Sequence, residues 1–241
     1  MNNSYSIAEI WVYLSGSPLL ALFITLAGYQ VGLTIYERSG QNPFANPVAI
    51  AVLIVASFIL AIDMPYATYF QGAQFVHFLL GSATVSLAIP IYRGYAKLKM
   101  RAVPLLLAVM TGGLVSIVSA VGIATWLGAD RAMTAALFSK SVTAPIAMGI
   151  AERIGASPTL TAIFAITTGI LGAILARYIL DLLRIRAWWQ RGFALGVASH
   201  GIGVSRAFSV NAEAGAYASL AMGLHGIIGA VFIPWIYLLW V

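Results

Sequence analysis

Residues Ala132 to Ile150 read AMTAALFSKSVTAPIAMGI, and this stretch decides the fold. It is apolar at both ends and close to the roughly 20 residues that a membrane-spanning helix needs. Its middle, Ser139-Lys140-Ser141-Val142-Thr143-Ala144-Pro145, interrupts it with a lysine, hydroxyls and a proline. A lysine at the bilayer centre costs about 2.5–3.5 kcal/mol on insertion scales, so an intramembrane charge is read as functional by default. The competing reading is a shallow segment whose lysine snorkels to water. Backbone broken at that depth has to be buried in protein or to line a cavity.

Two further apolar stretches are interrupted in the same way. Gly192 to Ala207 carries Ser199-His200-Gly201-Ile202-Gly203, with Ser205 and Arg206 beyond it. Tyr66 to Leu98 carries a polar patch at Gly81-Ser82-Ala83-Thr84, then Ser86 and Pro90. Uninterrupted spans are expected at 18–36, 47–62, 103–127, 160–183 and 217–240. The last is anchored at the interface by Trp235, Tyr237 and Trp240.

Composition agrees. The 241 residues are 61% apolar and 8% charged, with a mean hydropathy of +0.94. A soluble domain is about 25% charged, so this chain is expected to be an all-α polytopic membrane protein. The absence of cysteine excludes disulfides and thiol chemistry. The net charge of +6 sits mostly in two short loops, 93–101 and 184–191. That pattern predicts topology, with both loops cytoplasmic, and not nucleic-acid binding. The first 17 residues lack the basic start and small-residue cleavage site of a secretory signal and are expected to be retained.

No stretch reads as a linker, so one transmembrane domain is expected over 1–241, with an internal repeat of units at about 130–183 and 190–241. Thr168-Gly169-Ile170-Leu171-Gly172 matches His225-Gly226-Ile227-Ile228-Gly229, and each follows a Ser-cation pair, Ser139-Lys140 and Ser199-His200. With both basic loops on one side, an even number of crossings lies between them. The spans 103–127 and 160–183 supply two, so 132–150 enters and leaves on the outer side, and 192–207 enters from the inner side. This predicts an inverted repeat with discontinuous or re-entrant helices meeting near the midplane.

Lys140, with Ser139, Ser141 and Thr143 around it, reads as an anion site of ammonium and hydroxyl donors. Ser199 and His200 hold the matching place in the second unit. His200 is expected beside Lys140 in one cavity, as a proton-linked or hydroxyl-binding partner. Arg206 is expected as a second cation at the cavity mouth. Ser82 and Thr84 form a third polar seam, although their hydroxyls could equally bond their own helix carbonyls. His77 and His225 are isolated and receive no role. Dispersed histidines and unclustered carboxylates predict no metal site, and no cofactor is expected. Without a Gly-x-Ser-x-Gly elbow, a hydrolase is not expected.

These same motifs resemble the LrgB/CidB family of bacterial membrane proteins. The likeness rests on Leu79 to Tyr92, Lys140 to Met148 and Ala198 to Ala207, and it spans nearly the whole chain after residue 15. Ala144 departs from the pattern, standing where many members have a second threonine. The resemblance implies one of two functions. One is a holin/antiholin-like effector of murein hydrolase export and autolysis. The other is a carrier of small 2-hydroxy or 2-oxo monocarboxylates, as in a plastid glycolate/glycerate carrier, and the lysine site favours it. The location implied is the inner (plasma) membrane. The partners implied are the lipid bilayer, a small monocarboxylate anion and a small LrgA/CidA-type membrane protein. A homo-oligomer is an open alternative.

Overall fold

The computed structural model describes residues 18–86, 88–93 and 95–240. Every regular element among these residues is a helix, and no strand occurs among them. The chain divides into two compact units, Met1–Ser86 and Leu87–Val241.

In the first unit, α1 (Pro18–Arg38), α2 (Pro47–Ala61) and α3 (Tyr66–Ser86) pack together. Asn46 caps α2 by accepting from the Val48 and Ala49 amides, and Pro47 opens the helix where no amide is needed. Thr25 of α1 shares a hydrogen bond with the Tyr69 hydroxyl of α3. One expectation is corrected here: α3 runs without a break through Gly81–Thr84 to Ser86. Ser82 donates to the Leu79 carbonyl and Ser86 to the Ser82 carbonyl, so these hydroxyls are satisfied by their own helix.

The second unit opens with two short helices, α4 (Ala88–Arg93) and α5 (Tyr95–Met100). It continues with α6 (Ala102–Trp126), α7 (Arg131–Leu137), α8 (Ala144–Arg153), α9 (Pro158–Leu182), α10 (Trp188–Val210) and α11 (Ala212–Trp240). Of the described helices, α1, α6, α9 and α11 are long and apolar enough to cross a membrane. Their large outward-facing side chains, such as Val115, Val118, Ile163 and Leu239, are exposed, as lipid-facing residues are.

The broken elements are re-entrant, and side-chain contacts prove it. The Arg101 guanidinium, at the start of α6, donates to the Tyr217 hydroxyl (2.7 Å) near the start of α11. It also lies 4.6 Å over the Trp189 ring near the start of α10. Those three helix starts therefore share one end of the unit, here called the basic end. At 25 residues each, α6 and α9 are about 37 Å long and cross once. The end of α6 and the start of α9 consequently lie at the far end, and α7 and α8 begin and finish there. Gly128 (φ 80°) ends α6 and Gly155 (φ 71°) follows α8, both in the left-handed region that a residue with a Cβ rarely adopts. Inside this first hairpin the Ser139 hydroxyl donates to the Ala147 carbonyl at 3.2 Å, fastening its two arms side by side.

The second hairpin is α10 itself, which turns at His200 (φ 40°, ψ −131°). Gly192 and Gly196 of its first arm pack directly on the Ala214 and Ala218 carbonyls of α11, and no Cβ would fit at either. The first arm and α11 thus start level and run in the same direction. The second arm reaches α11 through Asn211 alone, with the Phe208 ring on Gly215, so it returns to the basic end. One hairpin enters from each end.

The glycine pairs on the long helices receive the hairpin tips in exchange. Gly169 and Gly172 of α9 lie against His200 and Ser199 of the second hairpin. Gly226 and Gly229 of α11 lie against Ile146 and Val142 of the first. Equivalent residues of each unit thus seat the tip entering from the opposite end, which is the arrangement expected of an inverted repeat.

Candidate functional site

A cavity of about 660 Å³ lies in the second unit. Its walls follow from helical periodicity. Pro104, Ala108, Gly112 and Ser116 repeat every four residues on one face of α6, and Trp189, Phe193 and Val197 do the same on the first arm of α10. Thr168, Leu171 and Gly172 of α9 complete the wall, and Lys140 with Ser141 closes the inner end from the tip of the first hairpin. Ser116 stands ten residues from the end of α6, about 15 Å in from the far end. The cavity therefore runs from Trp189 and Pro104 at the basic end to Lys140 near mid-membrane.

The Lys140 ammonium donates to the Ser116 hydroxyl (2.9 Å) and the Ser141 hydroxyl (3.2 Å), and these two hydroxyls are also hydrogen-bonded to each other. All the ion pairs among the described residues centre on Asp181, with Arg177, Arg186 and Arg191. Lys140 therefore has no carboxylate within 4.0 Å among those residues. An ammonium in an apolar cavity with hydroxyl company and no counter-charge is electrostatically incomplete.

The other residues named from sequence are placed as follows. Ser139 is buried and spent on the hairpin's own fastening. Thr143 occupies the N-cap of α8 without a side-chain capping bond and does not line the cavity. Ser199 is buried against Gly172, and its hydroxyl has no hydrogen-bond partner. His200 is not brought to Lys140's cavity, which corrects that expectation. Its Nε2–H donates to the Ala165 carbonyl at 2.9 Å, and its ring fills the space that Gly169 leaves open. The proton-coupling role expected of it therefore has no geometric support. Arg206, on the second arm of α10, is half-buried and away from the cavity walls. The cation nearest the basic end of the cavity is Arg101, which lies over the wall residue Trp189. Ser82 is exposed in the first unit. The side chain of Thr84 lies outside the described residues.

Two residues were not singled out by sequence. Ser116 looks like any hydroxyl in a clean span, and only the rotation of α6 distinguishes it from Ser119, which bonds back to the Ser116 carbonyl. His225 donates through Nδ1–H to the Val197 carbonyl at 3.0 Å, one of the carbonyls that a helix breaking at His200 leaves without a helical donor. Its place opposite Thr168 in the repeat was the available signal.

Comparison with known proteins agrees with this architecture. The model of the LrgB-like family matches residues 25–239. YwbG of Bacillus subtilis is 32% identical over 218 residues, covering 90% of this chain and 96% of its own length. YxaC of the same organism is 31% identical over 216 residues, or 90% and 94%. The holin-like protein CidB of Staphylococcus epidermidis is 29% identical over 221 residues, or 92% and 96%. No solved structure matches the chain. The chain belongs to the LrgB-like family of membrane proteins.

Proposed function

We propose that the protein is a plasma-membrane transporter of small 2-hydroxy or 2-oxo monocarboxylates, with Lys140 as the carboxylate site. The observation that carries this reading is the uncompensated Lys140 ammonium at the inner end of a 660 Å³ cavity. Small-molecule sites are clefts of about 300–1,000 Å³ with few polar groups on an apolar lining, and this one has that character. A bound carboxylate supplies the missing counter-charge. Ser116, Ser141 and Thr168 stand close enough to the same end to bind a neighbouring hydroxyl or keto oxygen. One cation suits one carboxylate better than a dianion. By the positive-inside rule the basic end is cytoplasmic, so the cavity lies between that side and Lys140. Two hairpins entering from opposite sides and meeting near one site support alternating access.

The test is uptake of labelled glycolate, glycerate and pyruvate into proteoliposomes. Saturable uptake of at least one is expected, and saturable uptake of none refutes the proposal. The holin-like name of the CidB relatives supports a second reading, a membrane effector without a fixed substrate. It predicts size-graded dye leakage from the same vesicles, indifferent to Lys140→Met.

A further inference from the structure

Beside the basic end of the cavity stands a second cation that has no counter-charge among the described residues. Arg101 is half-buried one turn before Leu105, itself a wall residue, and its guanidinium stacks over Trp189, another wall residue. Of its five donors, one nitrogen is spent on the Tyr217 hydroxyl. No carboxylate lies within 4.0 Å of it among the described residues, and Asp181, at the same end, is held by Arg177, Arg186 and Arg191. A guanidinium held over an aromatic ring can still grip a planar anion through its remaining edge donors with two parallel hydrogen bonds. Lys140's partner Ser116 lies fifteen residues further along α6, about 22 Å deeper.

We infer that Arg101 is an anion-collecting station beside the basic end of the cavity, a specificity-determining residue that selects a single carboxylate-like charge before it reaches Lys140. It presents fixed donors to an anion arriving from the basic end. The Trp189 and Tyr217 rings hold the guanidinium in place, so capture requires no reordering of a long side chain. The role rests on the proposed anion site at Lys140 for its purpose, but the station itself is measurable without any transported substrate.

The experiment uses the purified full-length protein in lipid nanodiscs, with iodide as the anion probe and tryptophan fluorescence as the readout. Trp189 is isolated by difference against Trp189→Phe. Iodide gathered at Arg101 quenches Trp189 more than caesium or acrylamide does at equal concentration. The excess falls with ionic strength as screening sets in at a Debye length of about 10 Å in 0.1 M salt. Arg101→Gln is expected to lower the iodide quenching constant about threefold to tenfold, the scale on which a focused positive field concentrates anions. Acrylamide quenching stays unchanged. Arg101→Lys, which keeps the charge and loses the fork, retains the salt dependence. In uptake assays Arg101→Gln raises KM at low ionic strength and leaves kcat alone. Equal iodide quenching in Arg101→Gln and the unmutated protein overturns the inference. So does a parallel loss of iodide and acrylamide responses in both variants with a lowered Tm, which marks Arg101 as a structural strap. Loss of the iodide excess in Lys140→Met but not in Arg101→Gln also overturns it. If iodide behaves as expected while no carboxylate is transported, the transport reading fails and the station stands. Should Arg101→Gln not fold, the salt dependence of the iodide excess in the unmutated protein decides alone.

Discussion

Replacing Lys140 by methionine separates a binding residue from a structural one, because only a binding residue removes the stabilisation that the ligand itself supplies. Methionine is close to lysine in length, flexible and apolar. In the empty protein the ammonium has two hydroxyl acceptors, Ser116 and Ser141, and no counter-charge among the described residues. Without it, those two hydroxyls keep each other as partners. The burial cost of about 2.5–3.5 kcal/mol disappears, offset by two lost charge-assisted hydrogen bonds of about 1.5–3 kcal/mol each, so the empty protein changes by no more than a few kcal/mol, in the destabilising direction. In a chain of this size each kcal/mol moves Tm by about 2–4 °C. Affinity falls in addition to this. A hydrogen bond to a charged group contributes about 1.5–3 kcal/mol, and a factor of ten corresponds to about 1.4 kcal/mol. The Kd or KM for the carboxylate should therefore rise roughly 10- to 150-fold. Melting curves in detergent with and without 10 Kd or so of the best substrate, run beside proteoliposome uptake, measure both; the unmutated protein gains about 1.4 kcal/mol from the ligand and the variant at most about 0.4 kcal/mol. Uptake within twofold of the unmutated protein would refute the carboxylate site. Loss of uptake with the ligand-induced shift retained would make Lys140 a structural residue instead.

Two further outcomes are expected. Single cysteines at positions 97 and 186 should both label from the cytoplasmic side with an impermeant thiol reagent, and a cysteine at 129 from the other side; labelling of 97 and 186 from opposite sides would end the inverted-repeat topology. Gly172→Ala should lower Tm by several degrees, because its methyl collides with the buried Ser199 hydroxyl. Ser199→Ala should be neutral to stabilising alone, since it deletes an unpartnered buried oxygen, and should recover most of the loss when combined with Gly172→Ala.

Much of this was legible before any coordinates. A lysine among hydroxyls, and a His-Gly-Ile-Gly run inside an apolar segment, announce breaks because neither pattern fits a continuous span. The two basic loops then fixed the parity, and the Arg101–Trp189 contact places those loops at the same end. What sequence could not show depends on rotation and on carbonyls. Ser116 and Ser119 are equivalent until the face of α6 is known. The ring of His200 follows a backbone acceptor, the Ala165 carbonyl, which leaves no mark in the residue pattern. Arg206 and Arg101 are both basic residues on the basic-end side, and only the contact of Arg101 with the wall residue Trp189 tells them apart. The patch at Gly81–Thr84 misled for a related reason, since serines that bond their own helix look the same in sequence as serines freed by a break.

The exchange of tips between repeat units sets an order on biosynthesis. The first hairpin rests on Gly226 and Gly229, and its Phe138 ring packs edge-on to Tyr237 (centroids 5.2 Å apart) and Trp240 (6.2 Å), all in α11, which is synthesised well after it. Eighty-six residues separate Lys140 from Gly226, so at about 5–20 residues per second the nascent lysine waits on the order of 4–17 s for its seat. During that interval the hairpin has only α6 and α9 beside it. A chain truncated before Gly226 never acquires the missing wall and carries a charged, half-packed loop in the bilayer. Such a product is a ready substrate for membrane proteases, so premature termination late in the message should yield no protein, and not a shortened one.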